Sequence, residues 1–169
     1  MSATGRTLRE GLVVGIIAYA AVALFYALFD VFAARGVLYT VDVLGRALFR
    51  GLRDPAVLMF PLELDPTAIL LYNGFHLVMS LAIGVLVTAL VVHAERHPTQ
   101  ALPVVVMIAA GGVLTVFAVA YLTDSMRPLL PWWSIVVANV LAAALAGFYL
   151  LARHPELRQR LAPANLVHG

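Results

Sequence analysis

Apolar residues fall into four long blocks, Gly11–Ala34, Thr67–Val92, Pro103–Leu122 and Pro131–Ala152, separated by shorter polar stretches. A hydrocarbon layer about 30 Å thick is crossed by roughly 20 helical residues rising about 1.5 Å each, and every block reaches that length. Lipid offers no partner to backbone N–H and C=O groups, so each block predicts a helix that satisfies its own backbone. The expected fold class is all-α: a polytopic membrane protein with four transmembrane helices, residues 1–169 making one membrane domain. His93–Leu102 and Thr123–Leu130 are short connections, which force antiparallel neighbours and predict an up-down bundle.

The first connection has a pattern of its own. Between Tyr39 and Arg53, Val41, Leu44, Leu48 and Leu52 recur at helical spacing, while Arg46, Arg50 and Arg53 line another face. That is the signature of an amphipathic helix lying in the membrane interface over residues 39–53, its arginines at the membrane surface. Asp54-Pro55 ends it, and Pro66 suits the first turn of the second span. Trp132 and Trp133 follow Pro131 where an interfacial aromatic belt belongs.

Composition leaves no room for a separate soluble domain. The chain is 63% hydrophobic and 12% charged, against about a quarter charged in ordinary soluble domains. Mean hydropathy is +0.96. There is no cysteine, which excludes disulfide staples, thiol redox chemistry and thiolate metal sites. The net charge of +2 reflects eleven Arg against nine carboxylates, scattered rather than clustered, so nucleic acid is not a partner this sequence points to. The first apolar block follows Arg6 and Arg9 as a signal peptide would, but its length exceeds the h-region of about 7 to 15 residues, and it reads as a retained anchor. Arg6, Arg9, Arg96, Arg153, Arg158 and Arg160 share one face of a four-span topology, which by the positive-inside rule puts both termini in the cytoplasm, in a bacterial inner membrane if the source has two.

Helices in lipid associate through close backbone approach and interhelical hydrogen bonds, both favoured by small residues four apart. Gly11, Gly15, Ala23 and Ala27 share a stripe with Tyr19 in the first span; Gly111, Gly112, Thr115 and Ala118 mark the third; Ala138, Ala142 and Ala146 mark the fourth. In the second, Asn73, His76, Ser80, Gly84 and Thr88 follow steps of 3, 4, 4 and 4 and therefore occupy one helical face. An amide and an imidazole lose several kcal/mol each if left facing hydrocarbon, so this face is expected against another helix.

Counting inward from the ends of the spans brings Asp30, Tyr26, Asn73, His76 and Asn139 to comparable depth, a candidate polar intramembrane cluster containing an ionisable pair. Asp30 also lies close enough to the interface to pair with Arg35. A haem or metal at His76 would need further converging ligands, and no other span carries a histidine at that depth. Haem at the membrane edge would instead use His93 or His97 with His154, all three at helix ends beside Arg and Pro. There is no glycine-rich phosphate loop, no paired catalytic carboxylates and no trustworthy nucleophile–base ordering, so an enzyme is disfavoured.

Three functions compete. The favoured one is a non-catalytic accessory or structural subunit of a larger membrane complex of respiratory or photosynthetic type, in contact with the lipid bilayer and with other membrane subunits or further copies of itself. The runner-up is a cofactor- or small-ligand-binding membrane protein using the cluster around His76, with haem or a metal as the ligand. The third, a small oligomeric transporter or channel, would need a polar path that the apolar lower half of every span does not offer.

Overall fold

The computed structural model describes residues 2–160. All four apolar blocks are helical: α1 (Ala3–Phe32), α3 (Pro66–Arg96), α4 (Ala101–Leu122) and α5 (Trp132–Arg153). Two shorter α-helices, α2 (Tyr39–Phe49) after α1 and α6 (Pro155–Arg160) after α5, and two 3-10 turns, Pro98–Gln100 and Asp124–Met126, complete the order, and no strand occurs among the described residues. Four helices are thus long and apolar enough to cross a membrane, and the chain is an integral membrane protein in a lipid environment.

The helices outrun the apolar blocks where charge marks the membrane edge. α1 begins two turns before Gly11, carrying Arg6, Arg9 and Glu10 on helical backbone, with Ser2 as its cap accepting from the Gly5 amide at 3.2 Å. α3 continues past Val92 through Arg96. Its start is set by Asp65, whose carboxylate accepts from the Ala68 amide at 3.0 Å ahead of Pro66 at the first turn. α2 stops at Phe49, a turn short of the expected Arg53, because Gly51 takes a left-handed φ of 69° and the chain turns away.

α1 and α3 make the most extensive helix pair. They run in opposite directions, since Gly11 faces Val85 and Gly15 faces Leu81. A Cβ on Gly84 would come within 2.4 Å of the Gly15 nitrogen and 2.5 Å of the Gly11 oxygen, and one on Gly15 within 2.6 Å of Leu81 Cα. The backbones touch, which is the geometry small residues permit in lipid. Ser80, Gly84 and Thr88 are all buried on this face. α5 packs on α1 as well, with Ser134, Ile135, Ala138 and Ala142 inward. α4 is the outlier: only Ala101 and Val104, at its first turns, are buried.

Two apolar clusters sit at opposite ends. One gathers Val14, Val91, Ala94, Ala101, Val104, Leu150 and Leu157. The other gathers Tyr39, Val43, Ala47, Leu58, Met126 and Leu129 beneath the first connection. The second cluster shows a face of α2 that the apolar spacing did not mark. Its inward face carries Tyr39, Val43 and Ala47, while Leu48 and Leu52 remain exposed and Leu44 is only partly covered. α2 is docked on the other helices: a Cβ on its Gly45 would meet the Ala68 carbonyl oxygen at 2.4 Å.

The α1–α3 contact makes a direct prediction. Gly84→Ala should lower unfolding free energy in detergent by about 1–3 kcal/mol through overpacking. Gly74→Ala, on the same helix with open space around it, should leave stability unchanged or raise it by up to about 1 kcal/mol through helix propensity. Denaturant titration of both variants in one micelle system checks the contrast.

Candidate functional site

Polar side chains concentrate in three places along the helices: at the α2 end, midway between α1 and α3, and at the opposite end around His154. At the α2 end Asp30 is fully buried and accepts from the Thr40 amide and the Thr40 hydroxyl, both at 2.7 Å, and from Arg35 Nη2 at 3.3 Å. Arg35 also donates from Nη1 to the Leu129 carbonyl at 2.8 Å, and its guanidinium lies 4.7 Å from the Tyr39 ring centroid and 5.0 Å from that of Phe29. One carboxylate and one guanidinium therefore join the end of α1, the start of α2 and the turn before α5. Tyr39 closes the arrangement by donating to the Leu58 carbonyl at 2.7 Å, and burial pushes its phenol above the ordinary tyrosine range.

A second buried carboxylate, Asp42, holds α2 onto the start of α3. It accepts from Arg46 Nε at 3.1 Å and from the Asp65 amide at 3.1 Å. Arg46 reaches on to the Glu63 carbonyl, and Arg50 bonds the Asp65 carboxylate at 3.2 Å. Of the expected membrane-surface row, Arg46 and Arg50 are bonded within the protein, and Arg50 and Arg53 are exposed. The Ala68 amide, followed by the Arg50 guanidinium, holds the Asp65 carboxyl below the usual carboxylate range.

The expected intramembrane cluster divides into separate pairs. Asp30 is taken up by Thr40 and Arg35, with no hydrogen bond to His76. Tyr26 shares a hydroxyl contact of 3.4 Å with Ser134. Asn139 turns back to its own helix, donating to the Ile135 carbonyl at 2.8 Å. Only Asn73 and His76 remain together: Asn73 accepts from the Tyr19 hydroxyl at 3.0 Å and donates to the Ile69 carbonyl at 3.0 Å, while the His76 ring lies 5.2 Å from Tyr19 and 6.0 Å from Tyr72.

At the far end His154 is buried, with Nδ1 at 2.8 Å from Glu95 and Nε2 at 3.1 Å from Glu10. Three helices, α1, α3 and α5, meet in this clasp. Carboxylates only accept, so bonds at both nitrogens require either the doubly protonated ring or a proton on one carboxyl. His93 and His97 do not join it. They stack on each other at 4.3 Å, and His93 Nε2 contacts Gln100 Oε1 at 2.7 Å. The expected edge ligand set of His93, His97 and His154 is therefore not brought to one point, and no group of three or more His, Asp or Glu among the described residues is arranged so that it could hold a metal ion.

Sequence reasoning passed over Thr40, Asp42, Tyr72 and Glu10. Asp42 and Arg46 at i, i+4 were a legible pair, and Glu10 is the sole acidic residue in the stretch that leads into the first span. Thr40 and Tyr72 carry no such mark; their roles depend on which neighbours the fold supplies. No protein-family model matches the chain, and comparison with curated proteins and with solved structures finds no significant match.

Two outcomes follow. Asp30→Asn combined with Arg35→Ala should be non-additive in thermal stability by about 1 kcal/mol or more, whereas Asp30→Asn combined with His76→Ala should add within about 0.5 kcal/mol, because only the first pair is in contact. The depressed Asp65 carboxyl contributes stability that is present above the ordinary carboxylate pKa of about 3.9 and is lost as pH falls through its lower folded value. The difference in melting temperature between the wild type and Asp65→Asn should therefore be constant near neutrality and shrink in acid.

Proposed function

We propose that this chain is a non-catalytic accessory subunit of a larger membrane protein complex, and that the partner packs on α4. In this reading the four spans form an up-down bundle with both termini on the cytoplasmic side, α2 lies at the outer interface, and the exposed Leu48, Phe49 and Leu52 meet lipid there.

The observation that carries the reading is the environment of Gly111 and Gly112. Both sit mid-helix in α4, and a Cβ added to either would meet nothing within 4 Å. A glycine in a helix interior costs about 0.8–1 kcal/mol relative to alanine, so two in succession facing only lipid weaken the span without any gain in packing. A neighbouring helix at the same face would turn that cost into close backbone contact, as Gly11, Gly15 and Gly84 already do between α1 and α3. Thr115 extends the face and bonds back to the Gly111 carbonyl at 2.9 Å, so the surface asks for close packing and no polar partner.

The test is purification from native membranes in mild detergent, with and without Gly111→Leu/Gly112→Leu. The wild type should carry stoichiometric membrane partners. The double variant should lose them while its own melting temperature stays level or rises, since the added side chains enter open space. A wild-type chain that purifies alone, or a double variant that keeps its partners, would sink the proposal.

A further inference from the structure

Two hydrogen-bond donors stand together inside the membrane-spanning part of α3 with nothing to donate to. Tyr72 and His76 are one turn apart, with ring centroids 6.0 Å from each other. The Tyr19 ring makes a third wall, 5.2 Å from His76, and is held there by its hydroxyl bond to Asn73 at 3.0 Å. Among the described residues the Tyr72 hydroxyl and the His76 ring nitrogens make no hydrogen bond. Both side chains are partly buried.

A neutral imidazole always carries one N–H and a phenol always carries one O–H. In hydrocarbon neither finds water, and each unmet donor costs on the scale of a lost hydrogen bond. We propose that Tyr72 and His76 form a binding site for a membrane-dissolved apolar molecule bearing a carbonyl oxygen, the chemistry of an isoprenoid quinone ring. The two donors address the oxygen, and the Tyr19 and Tyr72 rings flank a flat unsaturated group. This site is independent of the accessory-subunit reading and of the α4 face.

Depth selects among sources of the carbonyl. From Pro66, at about 1.5 Å per residue, Tyr72 lies about 9 Å and His76 about 15 Å along the helix, the latter close to the middle of a hydrocarbon core about 30 Å thick. Ester carbonyls of phospholipids are anchored at the edge of that core. A freely dissolved molecule reaches its middle.

The experiment is calorimetric titration of decylubiquinone into the full-length protein in phosphatidylcholine nanodiscs, with empty nanodiscs subtracted for partitioning. Saturable binding is expected, and decylbenzene, with the same chain and no carbonyl, should give none. Tyr72→Phe and His76→Phe each remove one donor while keeping a ring, and each should weaken binding about tenfold. Tyr121→Phe, which removes an exposed phenol on α4, should leave it unchanged. Affinity should be equal in ester-linked and ether-linked lipid. Heat from partitioning alone, equal binding of decylbenzene, or wild-type affinity in both ring variants would overturn the site. Binding confined to ether-linked nanodiscs would mean that lipid esters occupy the donors, and would overturn the dissolved-carbonyl assignment. The wild-type comparison of the two ligands stands even where a variant does not fold.

Discussion

The backbone contact between α1 and α3 is the constraint on which the other features depend. Hydrocarbon removes the hydrophobic drive that holds soluble helices together, leaving close packing and polar contacts to do it. Gly11, Gly15 and Gly84 bring the two helices near enough for backbone atoms to meet. Once that crossing is set, the polar residues N-terminal to Gly84 on α3 lie against α1: Tyr19 reaches Asn73 and approaches His76. Glu10 and Glu95 come to the same end and receive His154 from α5. A Cβ at the crossing would shift every one of these pairings together, because they share a single rigid contact.

Charge is handled differently at the two ends. At the α2 end the buried carboxylates Asp30 and Asp42 are each surrounded by donors from more than one element, and one guanidinium, Arg35, is stacked as well as hydrogen-bonded. A buried ion pair contributes little net stability against an apolar substitute, but breaking one leaves a costly stranded charge. The value of these groups lies in fixing where α2 sits and how the turn at Leu129 meets it. At the other end a single imidazole between two carboxylates does the joining.

The four spans were legible because length and hydropathy report directly on the bilayer. The α3 stripe was legible too: steps of 3 and 4 place residues on one face whatever lies opposite. What the pattern could not supply was the partner. Counting inward put Asp30 and His76 at comparable depth, yet Asp30 lies two residues from the end of α1 and His76 ten from the start of α3, and a count says nothing of azimuth: Asp30 turns toward Thr40. The same gap explains α2. Its apolar spacing marked Leu44, Leu48 and Leu52 as the side toward lipid and passed over a second face, Tyr39, Val43 and Ala47, which is buried against the protein where Gly45 and Asp42 dock at α3. Periodicity identified an amphipathic helix and could not decide which of two apolar environments, protein or lipid, received which face.

α4 stands apart from this logic. In α1 and α3, Gly11, Gly15 and Gly84 lie against a neighbouring backbone, whereas Gly74 on α3 and Gly147 on α5 have open space around them. α4 is fastened only at its start, by Ala101 and Val104, and presents Gly111 and Gly112 outward. A span whose apolar surface is covered by lipid gains nothing from glycine, since Leu or Ala at those positions would hold the helix better. In the proposed accessory-subunit reading the pair is half of an interface, built on the same principle as the α1–α3 crossing and completed by a helix from outside the chain.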